Sequence, residues 1–263
     1  ENQRTRQLAQ RRREFQQGRR KREQPRRPAE RALGQVLAEI EAHGLVVAGR
    51  VVGLVGNANA LAQGKRFLET DLNRLWTDER LAALRSDEAG AREPETREQC
   101  ALLAAFEEHI AAGPWAHVVL LDLHSTSAGG APFTIISDTL QNRPVAFALP
   151  VPVLLGLEER IEGTLLSWFA DQGHVAVCLE GGQNELPSTV DHHVAALWLT
   201  LVSVGLLREA DVPGLAAQRA RQQLGVQQRA ARHAVQHLAR GANEVGQQRE
   251  RERAQEVHAE GQQ

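Results

Sequence analysis

The chain has 263 residues, 42% of them hydrophobic, and a formal net charge of −2. That length allows one large domain or two small ones with a substantial core. No window approaches the roughly 18 consecutive apolar residues of a membrane helix, and no leader pattern of charged, apolar and small residues opens the chain. A soluble, cytoplasmic protein is therefore expected. The two cysteines, Cys100 and Cys178, lack the paired spacing of a thiolate zinc site or a disulfide framework and are expected as small core residues.

The charge is unevenly placed. Residues 1–28 hold ten Arg and one Lys against three Glu, a net +8, which leaves −10 for the rest of the chain. A basic arm on an acidic body can touch an anionic surface or fold back on itself. Phe15 is its lone aromatic residue, which argues against base stacking and makes nucleic acid an unfavoured partner.

From Pro28 to Gly44, Leu33, Val36, Leu37 and Ile40 follow helical spacing. Leu45 to Val55 is dense in Val and Leu and stops at Gly56-Asn57, which predicts a buried strand running into a loop. That loop is expected to continue through Asn59 and Gly64 to Leu75, because Lys65 to Arg74 is too polar and irregular for a core element. Residues 78–93 predict a short surface helix or turn. Thr96, with Gln99 three residues on, has capping-box spacing for a longer helix whose buried stripe is Leu102, Leu103, Phe106 and Ile110. Gly113-Pro114 ends it.

Val118 to Leu123 is an apolar run interrupted only by Asp122, and it predicts a strand buried on both faces that delivers His124 at its C-terminal end. Further strands are expected at 132–137 and about 150–156, and a helix from Glu158 to Ala170. His174 to Leu179 is another apolar strand ending on Glu180, then Gly181-Gly182-Gln183. A long apolar helix follows from about Thr189 to Leu207. Strands alternating with helices predict a three-layer α/β/α fold with a mixed, mainly parallel sheet. The expected organisation is a basic arm at 1–28, a catalytic domain at 29–210 and a polar tail at 211–263, helical or poorly ordered.

Two buried strands thus end on ionisable groups, and a polar loop presents Arg66, Asp71, Asn73 and Arg74. In open α/β sheets the C-terminal edge of the strands is where ligands bind. A metal held by an imidazole, a carboxylate that takes a proton from water and an arginine that stabilises the resulting oxyanion together make a hydrolytic site. The guanidinium and amide of the Asp-Leu-Asn-Arg segment suit an anionic substrate. Each piece also has a structural reading: His124 as a satisfied core histidine oriented by Asp122, Glu180 as a turn cap, and Arg66 and Arg74 as surface arginines.

Gly56-Asn57, Lys65-Arg66-Phe67, Asp71-Leu72-Asn73-Arg74, Asp122-Leu123-His124-Ser125-Thr126 and Leu179-Glu180-Gly181-Gly182-Gln183, in that order, resemble the succinylglutamate desuccinylase and aspartoacylase family over roughly residues 29–210. The resemblance implies a zinc carboxypeptidase-like fold and one Zn2+ per chain. It implies hydrolysis of the amide of a small N-acyl amino acid. By the same resemblance His124 corresponds to the third zinc ligand, Glu180 to the carboxylate that activates water and Arg66 to the group that polarises the scissile carbonyl. Asn73 and Arg74, beside Asp71, would hold the substrate carboxylate. The family's first two ligands, a His and a Glu, have no counterpart: residues 23–28 read Glu-Gln-Pro-Arg-Arg-Pro, and His43 is the first histidine. Two alternatives stay open, a metal-free relative that binds a carboxylate ligand and a carboxypeptidase-like peptidase. A homo-oligomer also stays open.

Overall fold

The computed structural model describes residues 27–86, 93–157 and 160–223. The expected basic arm up to Arg26 and the tail beyond residue 223 lie outside the described residues.

The uninterrupted apolar run after His174 becomes the central strand. It is β4 of a four-stranded sheet built from β1 (Val119–Thr126), β2 (Phe133–Ile136), β3 (Val153–Leu155) and β4 (Val175–Gln183) in the order β1-β4-β2-β3. The β1–β4 and β2–β3 pairs are parallel and the β2–β4 pair is antiparallel, so the sheet is mixed with a parallel majority. Paired on both sides and covered on both faces, β4 is buried from Val175 to Leu179. The other strand expected to be buried on both faces differs. Along its whole length β1 is only half-buried, because among the described residues β4 is its one neighbour and an edge strand keeps one flank open.

Alternation along β1 and β4 divides the core into two layers. Leu121, Leu123 and Leu179 face a cluster with Ala32, Val36, Val194 and Trp198. These come from α1 (Pro28–Ala42) and α7 (Pro187–Ser203), the latter buried on almost every side. Leu120, Ala176 and Cys178 face the opposite layer, where Leu102, Leu103 and Phe106 meet Trp76, Trp168 and Phe169. The rings of Trp76, Phe106, Trp168 and Phe169 stack at centroid distances from 5.1 to 6.0 Å. Helices on both faces make the expected three layers.

Several expectations change. Leu45 to Val55 is not a strand. Among the described residues no strand lies beside it, and its backbone bonds instead run from Leu45 N–H to the Ile40 carbonyl (3.0 Å) and from Ala48 N–H to the Leu206 carbonyl (2.9 Å). Leu45, Val47 and Val51 still pack on the core, while Val46 and Val52 face outward. Apolar alternation therefore selected a buried side without a ladder to complete it. The expected loop through Asn59 contains a short helix, α2 (Ala58–Ala62), and a 3₁₀ turn at Leu72–Arg74, which brings Leu72 into the core.

The surface helix is α3 (Asp78–Arg85). The long helix α4 (Pro94–Ala111) starts before the expected capping box: Glu93 is its N-cap, with Pro94 at its first position and no side-chain cap. Gln99 turns its amide to the Leu75 carbonyl instead (2.7 Å). A helix the sequence reading missed, α5 (Asn142–Ala148), follows β2. The helix expected from Glu158 is confined to α6 (Leu165–Asp171), where Thr164 accepts a capping bond from Ser167 N–H, while Glu158 and Glu159 lie outside the described residues. Beyond α7, Val212 and Leu215 join the core and Gln222 is fully buried. No helix among the described residues is long and apolar enough to cross a membrane.

Candidate functional site

His124 and Glu180 are partners in the parallel β1–β4 register, at the C-terminal end of both strands. Side chains at paired positions of neighbouring strands share a face, so Asp122, His124, Cys178 and Glu180 lie on one side of the sheet. Directly after Glu180 the register slips by one residue: His124 pairs with Glu180, but Thr126 pairs with Gln183. The extra residue falls at Gly181-Gly182 and forms a bulge, a device that re-aims side chains at a sheet edge. Gly181 is required there by close approach, since a Cβ would collide with the His193 ring.

His124 and Asp122, two apart on β1, join through Nε2 and Oδ2 at 2.9 Å. The neighbouring Asp122 charge, helped by the Glu180 carboxylate, raises the His124 pKa to about 9 against the opposing effects of burial and of Arg66. Burial raises the Asp122 carboxyl, and the His124 imidazolium more than offsets it, leaving that carboxyl below its ordinary value. Glu180 is pushed the other way: burial raises it, His124 and Arg66 oppose, and Asp122 adds to the rise. Its Oε2 is buried and has no hydrogen-bond partner among the described residues. Such a carboxylate is poised to take a proton. Cys178, behind it, has its thiol pushed well up by burial and by the two carboxylates, so it is an inert core residue as expected.

Arg66 reaches this group from the loop before the 3₁₀ turn and is held by Asp71 through Nε (3.1 Å) and Nη2 (2.8 Å). Asp71 also caps that turn by accepting from Asn73 N–H (3.1 Å). Asn73 turns its Oδ1 to Leu165 N–H at the start of α6 (2.8 Å), so its carbonyl oxygen joins the loop to α6. Arg74 donates to the Asn73 carbonyl (2.5 Å) and lines a cavity of about 590 Å³ with Thr77, Arg160, Ile161 and Glu162. The fold thus gathers His124, Glu180, Asp122, Arg66 and Asp71, and sets Arg74 in a separate open cavity that none of those five lines.

The sequence reading did not single out the adjacent pair His192 and His193 on α7. His192 Nδ1 lies 2.7 Å from the Gly181 carbonyl and His193 Nε2 lies 2.9 Å from the His124 carbonyl. A carbonyl only accepts, so both ring nitrogens are donors. Burial holds the His193 pKa down at about 4, which makes it a neutral donor. Gln222 in turn donates to the His192 carbonyl (2.7 Å). The signal available in the sequence was a pair of histidines running directly into the apolar stretch Val194 to Leu199, where each polar ring needs a buried partner.

Zinc would be held through His124. Among the described residues no three His, Cys, Asp or Glu side chains converge to hold a metal ion, and the His124 Nε2 already faces Asp122. The described donor set does not fit the three-ligand catalytic zinc site.

Solved structures share this fold, three of them as follows. The succinylglutamate desuccinylase of Vibrio cholerae superposes with a TM-score of 0.52 at 19% identity, over 68% of this chain and 53% of that one. The product-bound ectoine utilization protein EutE (DoeB) of Ruegeria pomeroyi gives 0.51 at 19%, over 69% and 53%. The succinylglutamate desuccinylase of Chromobacterium violaceum gives 0.50 at 21%, over 69% and 56%. The chain therefore spans little more than half the length of the structures it matches, and at these identities the likeness is one of fold. A search of curated proteins returned no match. The family model of the succinylglutamate desuccinylase/aspartoacylase catalytic domain matches residues 28–196, and the chain belongs to that family.

Proposed function

We propose that this chain is a deacylase that hydrolyses the amide bond of a small N-acyl amino acid, with Glu180 as the general base. The observation that carries the reading is the paired register of His124 and Glu180 at the C-terminal sheet edge, with Arg66 close enough to bear on the charge of both. Glu180 takes a proton from water as its oxygen attacks the acyl carbon. Arg66 stabilises the oxyanion, the C–N bond breaks, and the proton passes to the leaving amine. Asp122 keeps the His124 imidazole oriented and charged beside the developing negative charge. The products are a carboxylic acid and an amino acid.

Arg74 and its cavity suit the substrate carboxylate, since a guanidinium binds carboxylates with directed paired bonds. The family resemblance implies one Zn2+ per chain on a neutral His124, an arrangement that the described donor set does not fit, so the proposal rests on Glu180, His124 and Arg66. The test incubates the full chain with N-succinyl-L-glutamate and N-acetyl-L-aspartate, follows release of the free amino acid and measures bound metal by elemental analysis. Glu180→Gln is expected to lower turnover by about 10²–10⁴-fold, the usual contribution of a general base. Turnover unchanged in Glu180→Gln would sink the reading.

A second reading, carboxylate binding without hydrolysis, is favoured by the cavity that places Arg74 and Arg160 together. Under it both compounds bind, neither is cleaved, and Arg74→Ala abolishes binding.

A further inference from the structure

The loop that carries Arg66, Asp71 and Arg74 is an irregular segment, and its shape is held from outside by one face of α4. Glu95, Glu98 and Gln99 fall at i, i+3 and i+4 on that helix and so project along one stripe. Glu98 accepts from Ala58 N–H at the start of α2 (2.8 Å), and Gln99 donates to the Leu75 carbonyl at the far end of the loop (2.7 Å). One turn before them on the same stripe stands Glu95, a fully buried carboxylate. Its Oε1 accepts from Leu68 N–H (2.6 Å) and from Asn57 Nδ2 (3.1 Å); its Oε2 accepts from Glu69 N–H (3.2 Å) and Thr70 N–H (3.4 Å). Asn57 also reaches the Arg66 carbonyl (3.4 Å).

We propose that Glu95 is a positioning residue for the candidate site, a built-in anion around which the loop from Arg66 to Arg74 is wrapped. Three consecutive backbone N–H groups converging on one point form a concavity that favours negative charge. A carboxylate answers it, because the four partners it has among the described residues are all donors and an ionised carboxylate only accepts. Burial raises the Glu95 carboxyl, and the bonds from Leu68, Asn57, Glu69 and Thr70 outweigh it, so the group is ionised in its buried place. Its consequence for the site is geometric. Arg66 precedes the clamped amides by two residues and Asp71 follows them by one, so the Arg66–Asp71 pair, in which Nε and Nη2 both donate to Oδ2, closes the wrapped loop into a ring around the clamp. Arg66 is then held towards His124 and Glu180 by a residue that touches neither.

The effect on substrate rests on the deacylase reading above, whereas the effect on the loop does not. Glu95→Gln keeps volume and shape but turns an NH2 group towards N–H donors. In hydrogen–deuterium exchange of the full chain, amides of residues 66–75 are expected to exchange at least about tenfold faster in Glu95→Gln, with β4 protection unchanged, the scale set by leaving buried donors unpaired. With N-succinyl-L-glutamate, kcat is expected to fall about tenfold because Arg66 acts on the oxyanion, and KM to rise by no more than that because Arg74 sits on the same loop. Unchanged exchange at 66–75 overturns the proposal, as does an unchanged kcat.

If Glu95→Gln does not fold, Glu95→Asp retains the charge but withdraws it by one methylene, and the same local acceleration is expected. Loss of protection in β4 as well as the loop in both variants overturns the proposal, because Glu95 would then be holding the core. If the wild-type chain cleaves neither compound, the deacylase reading fails, and the exchange result still decides the role of Glu95.

Discussion

His193 on α7 donates its ring N–H to the backbone carbonyl of His124 on β1, 2.9 Å away and sealed from solvent. Its neighbour His192 makes the equivalent bond to Gly181 on β4. One turn of one buried helix therefore ties down the ends of both strands that carry the candidate site. His193→Ala leaves the His124 carbonyl without its donor and opens a cavity beneath the bulge. A loss of about 1–3 kcal/mol is expected from the unpaired group alone, measured by urea denaturation. The pH dependence has a definite sign. The His193 pKa falls from its ordinary value of 6.5 to about 4 on folding. Its contribution is thus fully present above 6.5 and lost as pH falls towards 4. In that window the alanine variant should show a flatter stability profile than the wild type.

The Asp122–His124 pair acts on the alkaline side. Folding raises the His124 pKa from 6.5 to about 9, so its contribution is fully present below 6.5 and lost as pH rises through 9. Asp122→Asn removes the first cause of that rise. In the metal-free protein, NMR titration should place the His124 midpoint near 9 in the wild type and at least about one unit lower in the variant. An unshifted midpoint would show that Asp122 does not govern the imidazole.

Gly163 sits at a positive φ of 69° against the backbone of Arg74, and a Cβ there would strike the Arg74 carbonyl. Its own carbonyl accepts from Trp76 N–H (3.1 Å). Gly163→Ala is expected to push Arg74 out of the cavity it lines. The outcome is weaker binding of N-succinyl-L-glutamate, by about tenfold, measured by calorimetry. Binding as tight as in the wild type would count against Arg74 as the carboxylate anchor.

Trp168 lies at the centre of the aromatic cluster under the site face of the sheet, in ring contact with Trp76, Phe106 and Phe169. Trp168→Ala should cost about 3–5 kcal/mol, seen as a lower urea midpoint. Because Trp76 directly follows the Leu72–Arg74 turn and its next residue, the surviving folded protein should also bind its ligand less tightly.

The strands after Trp115 and His174, the helices at Pro28, near Thr96 and near Thr189, and the residues His124 and Glu180 at strand ends were all legible in the sequence. Each depends on a local pattern, an apolar run, a helical stripe or a charge that ends a run, and local patterns survive folding when the tertiary packing agrees with them. The family motifs were legible for the same reason, as short runs of defined chemistry. What the sequence could not decide was pairing. Leu45 to Val55 has the composition of a strand, yet strandhood needs a neighbour, and none lies beside it among the described residues. Whether β1 was central or at the edge turned on the same missing information. The roles of Glu95, His192 and His193 also came only from the tertiary structure. A buried polar residue acquires its meaning from the group it faces, and here those groups lie 25 to 27 residues away for the amides of Glu95 and 11 and 69 away for the two carbonyls.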